Sequence, residues 1–398
     1  MIARKPVAVL IVLVSFVFGS IVVANPASAT IDSAVIVPSP NVGADHNQFT
    51  SVSCVSESYC VAVGNALVSF ASTTLVEVWN GSAWAVVASP NAGSSDTLSS
   101  VSCVSSSWCM AVGWTGTGSS TVTLAETWDG SAWSVVASPN AGATEDYLFS
   151  VSCSSASSCV AVGRSSSGSG NQTLTELWNG SAWTIVSSLN PGTSGDEFFD
   201  VACVSSSWCL AVGVSHNGGV DATLIELWNG SSWSVVASPN AGSGGASFGS
   251  VACIDATWCV AVGTSQVNSV NQTLVEAWNG SAWSVVSSPS PGSANNSLYA
   301  VSCATRSTCV AVGQSNNGSG DDLLIEAWNG TAWSVVTSPT VPVGSPLSSV
   351  SCASETSCIA VGTSYETPFQ TLVVSLTGSG SSPTTTSMSD PVVPTFTG

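Results

Sequence analysis

The chain has 398 residues, only 7% of them charged, and four basic side chains stand against 23 acidic ones for a net charge of −19. Arg4 and Lys5 lie at the extreme N-terminus, which leaves Arg164 and Arg306 as the only basic residues beyond it. A polyanion with so little lysine and arginine cannot neutralise phosphates, which excludes nucleic acid and anionic membrane surfaces as partners.

The N-terminus reads as a leader. Arg4 and Lys5 precede an apolar stretch from Val7 to Ala24, and Pro26-Ala27-Ser28-Ala29 offers small residues for cleavage. Residues 1–29 are therefore expected to be a signal peptide, with an uncleaved anchor as the alternative. The expected location is secreted or extracellular, including association with the cell surface, and the mature chain is expected not to span the membrane. Export implies an oxidising compartment, where an even cysteine count normally means disulfides.

The fourteen cysteines fall as Cys-x5-Cys pairs: Cys54/Cys60, Cys103/Cys109, Cys153/Cys159, Cys203/Cys209, Cys253/Cys259, Cys303/Cys309 and Cys352/Cys358. First members recur every 49 or 50 residues. Zinc prefers ligand pairs two to four residues apart with two further ligands. The gap here is five, and His46 and His216 are the only histidines, so local disulfides are the better reading. A sustained period near fifty residues marks stacked supersecondary units, propellers among them.

Residues 197–239 serve as the type unit. Phe198 to Cys203 alternates with period two and reads as a first strand, and Val204 to Trp208 as a turn. Cys209 to Gly213 is a short apolar second strand, followed by a variable loop from Val214 to Ala222. Thr223 to Trp228 is a third strand, Asn229-Gly230 a two-residue type I′ turn, and Ser231 to Ser238 a fourth strand. Four antiparallel strands in about fifty residues make one propeller blade. A proline and a small polar residue end each fourth strand, as in Pro90-Asn91, Pro139-Asn140, Pro239-Asn240, Pro289-Ser290 and Pro339-Thr340, with Leu189 in place of proline in the third unit.

The last repeat has Cys352, Cys358 and Thr371 to Val374 but no fourth strand, while Ser33 to Asn41 resembles the fourth strand of the other units. The expected fold is all-β: a seven-bladed β-propeller over 30–376, four antiparallel strands and one disulfide per blade, with the N-terminal strand 31–41 completing the last blade. Closure of this kind leaves no open sheet edge. Residues 377–398, rich in Ser, Thr and Pro, are expected to form a disordered tail.

Two columns recur along the chain. Glu77, Glu126, Glu176, Glu226, Glu276 and Glu326 share one face of the third strand with a Leu two residues before and a Trp two residues after, with Val374 in that slot in the last unit. A carboxylate so flanked is expected to be half-buried and bonded to backbone or to an indole N–H, a repeated structural clasp. The alternative is a sugar site in every blade, with tryptophan stacking on a pyranose. Twelve of the sixteen tryptophans flank the Asn-Gly turn, among them Trp84, Trp133, Trp183, Trp233, Trp283 and Trp333, and are expected to pack blade against blade. Trp108, Trp208, Trp258 and Tyr59, each before the second cysteine of a pair, offer a candidate partner patch.

Asn80, Asn179, Asn229, Asn279 and Asn329 match the glycosylation pattern, but Asp129 fills the same slot, so the turn explains the column. The strand ending Val-Ala-Val-Gly, followed by Glu-x-Trp-Asn-Gly-Ser-Ala-Trp, resembles kelch-type propeller units, which likewise place a glycine after the second strand and a tryptophan in the last. The single glycines here, Gly64, Gly113, Gly163, Gly213, Gly263, Gly313 and Gly362, replace the kelch double glycine. The resemblance implies architecture and carries no activity with it.

Catalytic signals are thin. Neither histidine has a nucleophile context. The acidic loop pairs Glu145/Asp146, Asp196/Glu197 and Asp321/Asp322 are candidates for glycosidase chemistry or for Ca²⁺, though exposed acids are usually solvated. No catalytic, cofactor or metal residue is assigned. The variable segments 65–73, 114–122, 164–172, 214–222, 264–272 and 314–322 share one face, where binding is expected. The functional expectation is a secreted, monomeric binding or scaffold propeller without catalytic activity, whose partner is an unknown extracellular protein or a glycan. A lectin-like propeller with repeated Trp/Glu sites is the first alternative and an extracellular carbohydrate-active hydrolase the second.

Overall fold

The computed structural model describes residues 30–42, 45–142, 144–166, 170–239 and 244–379, and all of its regular structure is β. The expected leader 1–29, most of the expected tail (380–398) and residues 167–169 of one expected loop lie outside the described residues. Among the described residues no helix is long and apolar enough to cross a membrane.

Strand β1 (Thr30–Ile36) comes first. The next run is β2 (Asn47–Ser56), β3 (Tyr59–Val68), β4 (Ala71–Trp79) and β5 (Trp84–Val86). Then come β6 (Asp96–Ser105), β7 (Trp108–Gly116), β8 (Thr121–Trp128) and β9 (Trp133–Val135), followed by β10 (Glu145–Ser155), β11 (Ser158–Ser166), β12 (Asn171–Trp178) and β13 (Trp183–Ile185). The fourth run is β14 (Gly195–Ser205), β15 (Trp208–His216), β16 (Asp221–Trp228) and β17 (Trp233–Val235). The fifth is β18 (Ala246–Asp255), β19 (Trp258–Val267), β20 (Val270–Trp278) and β21 (Trp283–Val285). The chain continues with β22 (Asn296–Thr305), β23 (Thr308–Asn316), β24 (Asp321–Trp328) and β25 (Trp333–Val335), and ends with β26 (Leu347–Ser354), β27 (Ser357–Ser364) and β28 (Gln370–Ser379).

The architecture is a β-propeller, but the expectation of seven separate four-stranded blades is corrected. Five four-stranded sheets stand alone: β2–β5, β14–β17, β18–β21, β22–β25, and β26–β28 with β1. Strands β6 to β13 instead form one eight-stranded sheet. The reason is local: β10 starts early enough for Glu145 to pair in parallel with Thr121 of β8, and Thr121 N donates to Thr144 O at 3.1 Å.

Strand β1 pairs antiparallel with β28, with Ala34 opposite Leu376 and Ile36 opposite Val374. It spans 30–36 rather than 31–41, and β28 runs to Ser379, taking in the first three residues of the tail expected from 377. Outside the outer strand, the asparagine after the proline returns to its own sheet in three of the runs. The Thr74, Thr123 and Thr371 N–H groups donate to the Oδ1 of Asn91, Asn140 and Asn41 at 2.9 Å each.

Two turns differ from expectation. The Asn-Gly pair does not form a two-residue type I′ turn, because only the glycine, such as Gly230 at φ +93°, takes the left-handed region. Asn229 Oδ1 instead accepts from the N–H groups of Ser231 and Ser232 at 2.9 and 3.0 Å, which closes a four-residue Asx loop between Trp228 and Trp233. Asp129 makes the same loop through Ser131 and Ala132, and these hydrogen bonds, the Ser131 hydroxyl first, hold its carboxyl below the usual range. The expected fourth strand therefore shortens to three residues, Trp233–Val235.

The variable segments are mostly strand rather than loop. The β3/β4 ladder continues to Val68 opposite Ala71, and β19/β20 to Val267 opposite Val270. The two-residue turns left between them, Ser69-Phe70 (φ 52° and 67°) and Asn268-Ser269 (φ 52° and 65°), carry the paired positive φ of type I′.

Each four-strand run is stapled by a disulfide between its first two strands, at all seven Cys-x5-Cys pairs. The expected local staple is observed, and within it the two cysteines of a pair do different work. The second members, Cys60, Cys109, Cys159, Cys209, Cys259, Cys309 and Cys358, are fully buried and form part of the apolar core between neighbouring runs. The first members, Cys54, Cys103, Cys153, Cys203, Cys253, Cys303 and Cys352, are only partly buried at the edge of the same clusters. Position explains the split: the second cysteine opens the fully apolar second strand, which is covered on both faces, while the first closes a strand beside the exposed hairpin turn.

That core lies between neighbouring runs. Trp128, Trp133 and Leu98 pack on Val61, Val63 and Val76 of the preceding run, and the pattern recurs around the ring. Burying such rings is worth about 1.5–3 kcal/mol per large side chain.

Candidate binding site at the channel mouth

The recurrent columns are internal. All six glutamates are fully buried, not half-buried, and their partners lie on the link from the preceding run. Ser39, Ser89, Ser138 and Ser288 hydroxyls donate to Glu77, Glu126, Glu176 and Glu326 at 2.7–2.9 Å. Ser238 serves Glu276 at 3.0 Å, and the Leu189 N–H serves Glu226 at 3.1 Å where the sequence lacks proline. Burial pushes the carboxyls of Glu77 and Glu176 up to about 8 and those of Glu126, Glu226, Glu276 and Glu326 to about 7. The Oε1 atoms of Glu77, Glu126, Glu176 and Glu326 find no partner among the described residues.

The indoles do not bond to these glutamates. Trp79, Trp128, Trp178, Trp228, Trp278 and Trp328 donate to main-chain carbonyls of the disulfide hairpin in their own run, at 3.1–3.2 Å. Trp84, Trp133, Trp183, Trp233, Trp283 and Trp333 are buried at 5–7% exposure. An exposed Trp/Glu pair of the kind a repeated sugar site requires is therefore missing from these columns. Trp108, Trp208, Trp258 and Tyr59 are half-buried, packed on the cores of neighbouring runs.

The acidic pairs are divided by the fold. Asp146 and Asp196 are buried and accept the N–H groups of Gly142 and Gly192 in the links, at 2.9 Å at the closest oxygen. Glu145 and Glu197 face elsewhere, as described below. Asp321 and Asp322 accept from the amides of Asn316 and Asn317. Among the described residues no three His, Cys, Asp or Glu side chains gather as a metal site.

The first strands line a central channel, and each carries a bulge there, as between Phe198 and Asp200. The recurrent glycine opposite explains itself: a Cβ on Gly213 would stand 2.0 Å from Glu197 O, and Gly64, Gly113, Gly163, Gly263, Gly313 and Gly362 face the same collision at 2.0–2.1 Å. The bulges point Thr50, Ser99, Phe149, Phe199, Gly249, Tyr299 and Ser348 into the channel.

Where the next residue of the strand is serine, its hydroxyl accepts a main-chain N–H from the neighbouring run. Val101 N donates to Ser51 Oγ, Val151 N to Ser100 Oγ and Val301 N to Ser250 Oγ, each at 3.2 Å. Asp200 breaks this serine column. It receives the hydroxyls of Ser150 and Ser250 at 2.6 and 2.7 Å and the N–H groups of Val201 and Val251 at 2.9 and 2.8 Å. Burial raises its pKa, against the pull of those four donors.

The channel opens on the face of the second-to-third turns, and one side of that mouth is unlike any other repeat. Phe149 stacks on Tyr147 at 5.9 Å and meets Phe199 at 6.1 Å, while Trp114 sets its edge on Tyr147 at 5.8 Å. Arg164 lies over the rings of Tyr147 and Phe149, 5.0 and 6.0 Å from their centroids. Its guanidinium bonds Glu197 at 3.1 Å and approaches Glu145 at 3.9 Å. His216 contacts Asp221 at 2.7 Å and Glu197 at 3.9 Å, and Asn171 also donates to Glu197. Across the mouth Tyr365 stacks on Phe369 at 4.7 Å, with His46 against the same ring. Burial, then the charge of Asp321, pushes the Tyr299 phenol up to about 12.

Sequence reasoning placed binding on this face but singled out none of these aromatics. The signals were present: Trp114 is outside the recurrent columns, Asp200 interrupts a serine column, and Arg164 is one of two Lys or Arg residues beyond Lys5.

These features define a disulfide-stapled β-propeller with an aromatic channel mouth. The chain matches no protein-family model and no curated protein. Among solved structures it is similar to YCF48 bound to D1 peptide, at 13% identity and a TM-score of 0.53, over 89% of this chain and 97% of that one. It is likewise similar to YCF48 from Cyanidioschyzon merolae, at 13% identity and a TM-score of 0.50, over 86% and 98% of the two chains. At that identity the likeness is one of fold.

Proposed function

We propose that this chain is an exported, non-catalytic binding propeller that holds a segment of a partner protein at the channel mouth. The observation that carries the reading is the unrepeated cluster of Trp114, Tyr147, Phe149 and Phe199 around Arg164, on a scaffold whose recurrent residues are otherwise spent on packing. Partly exposed aromatics and an arginine are the side chains that dominate protein-binding hot spots. A peptide is the ligand named for one of the similar propellers, which favours a protein partner over a glycan. The leader and the paired cysteines support export. The kelch-type order of glycine, turn and tryptophan is read as shared propeller architecture.

Selection from a random peptide display library on the immobilised mature protein tests the reading. Enriched peptides that lose binding to a Tyr147→Ala/Phe149→Ala variant of unchanged thermal stability are expected. Failure to enrich any peptide, together with selective binding on a glycan array, would overturn it.

A further inference from the structure

We infer that the segment taken at this mouth is cationic, bearing lysine or arginine side chains that lie against the Tyr147 and Phe149 rings and the rim carboxylates. This deepens the proposed protein-binding function and rests on it. Aromatic faces attract cations through their quadrupole, and the molecule already uses these two rings that way, with Arg164 5.0 and 6.0 Å from their centroids. That single guanidinium is shared between Glu197 at 3.1 Å and Glu145 at 3.9 Å, so the carboxylates around it outnumber it. Glu145 keeps 48% of its side chain exposed, and Asp221, beside His216, keeps 53%.

The wider field has the same sign. The chain carries a net charge of −19, and the one other arginine among the described residues, Arg306, is committed to Asp255 at the hairpin turns of the opposite face. An acidic segment would enter against that field, and an uncharged one would leave the rim carboxylates uncompensated. A basic segment is drawn in over a distance of about one Debye length and desolvates against rings that already accept a cation.

The test uses fluorescein-labelled peptides of equal length that carry lysine, glutamine or glutamate at the same positions, titrated into the mature protein and followed by anisotropy. The lysine peptide is expected to bind most tightly and to weaken about tenfold between low and high salt. Glu145→Gln/Asp221→Asn is expected to weaken it about threefold to tenfold, and Tyr147→Ala/Phe149→Ala by more. The same charge removal on the opposite face, Glu57→Gln/Asp255→Asn, should leave it within about twofold. If glutamine or glutamate peptides bind as well and still depend on Tyr147 and Phe149, the cationic inference falls and the protein-binding reading survives. If no peptide of any charge responds to the mouth substitutions, both fall.

Discussion

The hydroxyl of Ser138 donates to Glu176 Oε2 at 2.8 Å, joining the link that leaves one four-strand run to the third strand of the next. The serine contact recurs at Glu77, Glu126, Glu276 and Glu326, with the Leu189 N–H in its place at Glu226, so that a buried carboxyl closes the boundary wherever the third strand carries a glutamate. Glu176→Ala removes a fully buried side chain and strands the Ser138 hydroxyl, so a cost of about 2–3 kcal/mol is expected. Glu176→Gln keeps the volume, accepts from Ser138, and places an amide where Oε1 has no partner; its cost should stay under about 1 kcal/mol. Denaturant midpoints measure both, and equal losses would mean that the carboxyl group itself, not side-chain volume or the Ser138 hydrogen bond, holds the boundary.

The same glutamates give the fold an unusual pH response. Burial raises their carboxyls from the usual 4.5 to about 7 or about 8, with Asp96 near Glu126, Asp146 near Glu176 and Asp196 near Glu226 pushing the same way. The folded chain therefore holds protons that the unfolded chain has released over that interval. Stability from these groups is complete below about pH 4.5, drains as pH rises, and is gone past about pH 8. Melting temperatures should fall from mildly acidic to alkaline solution, and replacing all six glutamates by glutamine should flatten the profile. A wild-type optimum at alkaline pH would contradict the buried neutral carboxyls.

The fold was legible in the sequence wherever a residue acts inside its own repeat. The Cys-x5-Cys spacing marked the hairpin, and the Glu and Trp columns marked the third strand and its turn. What stayed hidden depends on neighbours far along the chain. Spacing alone could not tell Cys60 from Cys54, because the core that buries Cys60 is completed by Val361 and Val373 of the last run. Thr121 and Glu145 fuse two runs into one sheet through a single parallel pair, which no periodic signal announces. The Asn229 side chain competes with the backbone and turns an expected type I′ hairpin into an Asx loop. At the mouth the informative residues were the exceptions to the repeat, and Trp114, Phe149 and Asp200 became a site only once the ring had brought their runs together.

Asp200 tests how the channel wall is tied. Asp200→Ala leaves two hydroxyls and the Val251 N–H without this acceptor, and the Val201 N–H with only Ser150 Oγ at 3.4 Å. An expected cost of about 2–3 kcal/mol follows, less where channel water reaches them. Asp200→Ser restores the residue found at Ser51, Ser100 and Ser150 and should retain most of the stability. Urea unfolding of the two variants separates them; a serine as damaging as alanine would show that Asp200 does more than complete the serine ring.

Gly213 lies behind that wall. A Cβ there would stand 2.0 Å from Glu197 O and 2.8 Å from Phe198 Cα, both main-chain atoms that cannot swing aside. Gly213→Ala is therefore expected to pry open the bulge that aims Phe199 into the channel, costing about 3 kcal/mol. Gly219, where an added Cβ would meet nothing within 4 Å, is the control, and Gly219→Ala should change the melting temperature little. Loss of mouth binding by Gly213→Ala at temperatures where it stays folded would tie the bulge to the site.

Phe70 occupies the second position of a two-residue turn at φ 67°, with 96% of its surface exposed. A bulky side chain in the left-handed region is a true outlier, and a type I′ turn is best served by asparagine or glycine. The ring contributes no packing to offset that strain. Phe70→Asn should therefore stabilise the fold by about 1 kcal/mol, seen as a higher denaturant midpoint at unchanged slope. Unchanged stability would mean that the turn relaxes around phenylalanine without cost. A gain in stability accompanied by weaker peptide binding would extend the binding face from the channel mouth out to this turn, since a strained, exposed aromatic persists where the ring itself makes contact with a partner.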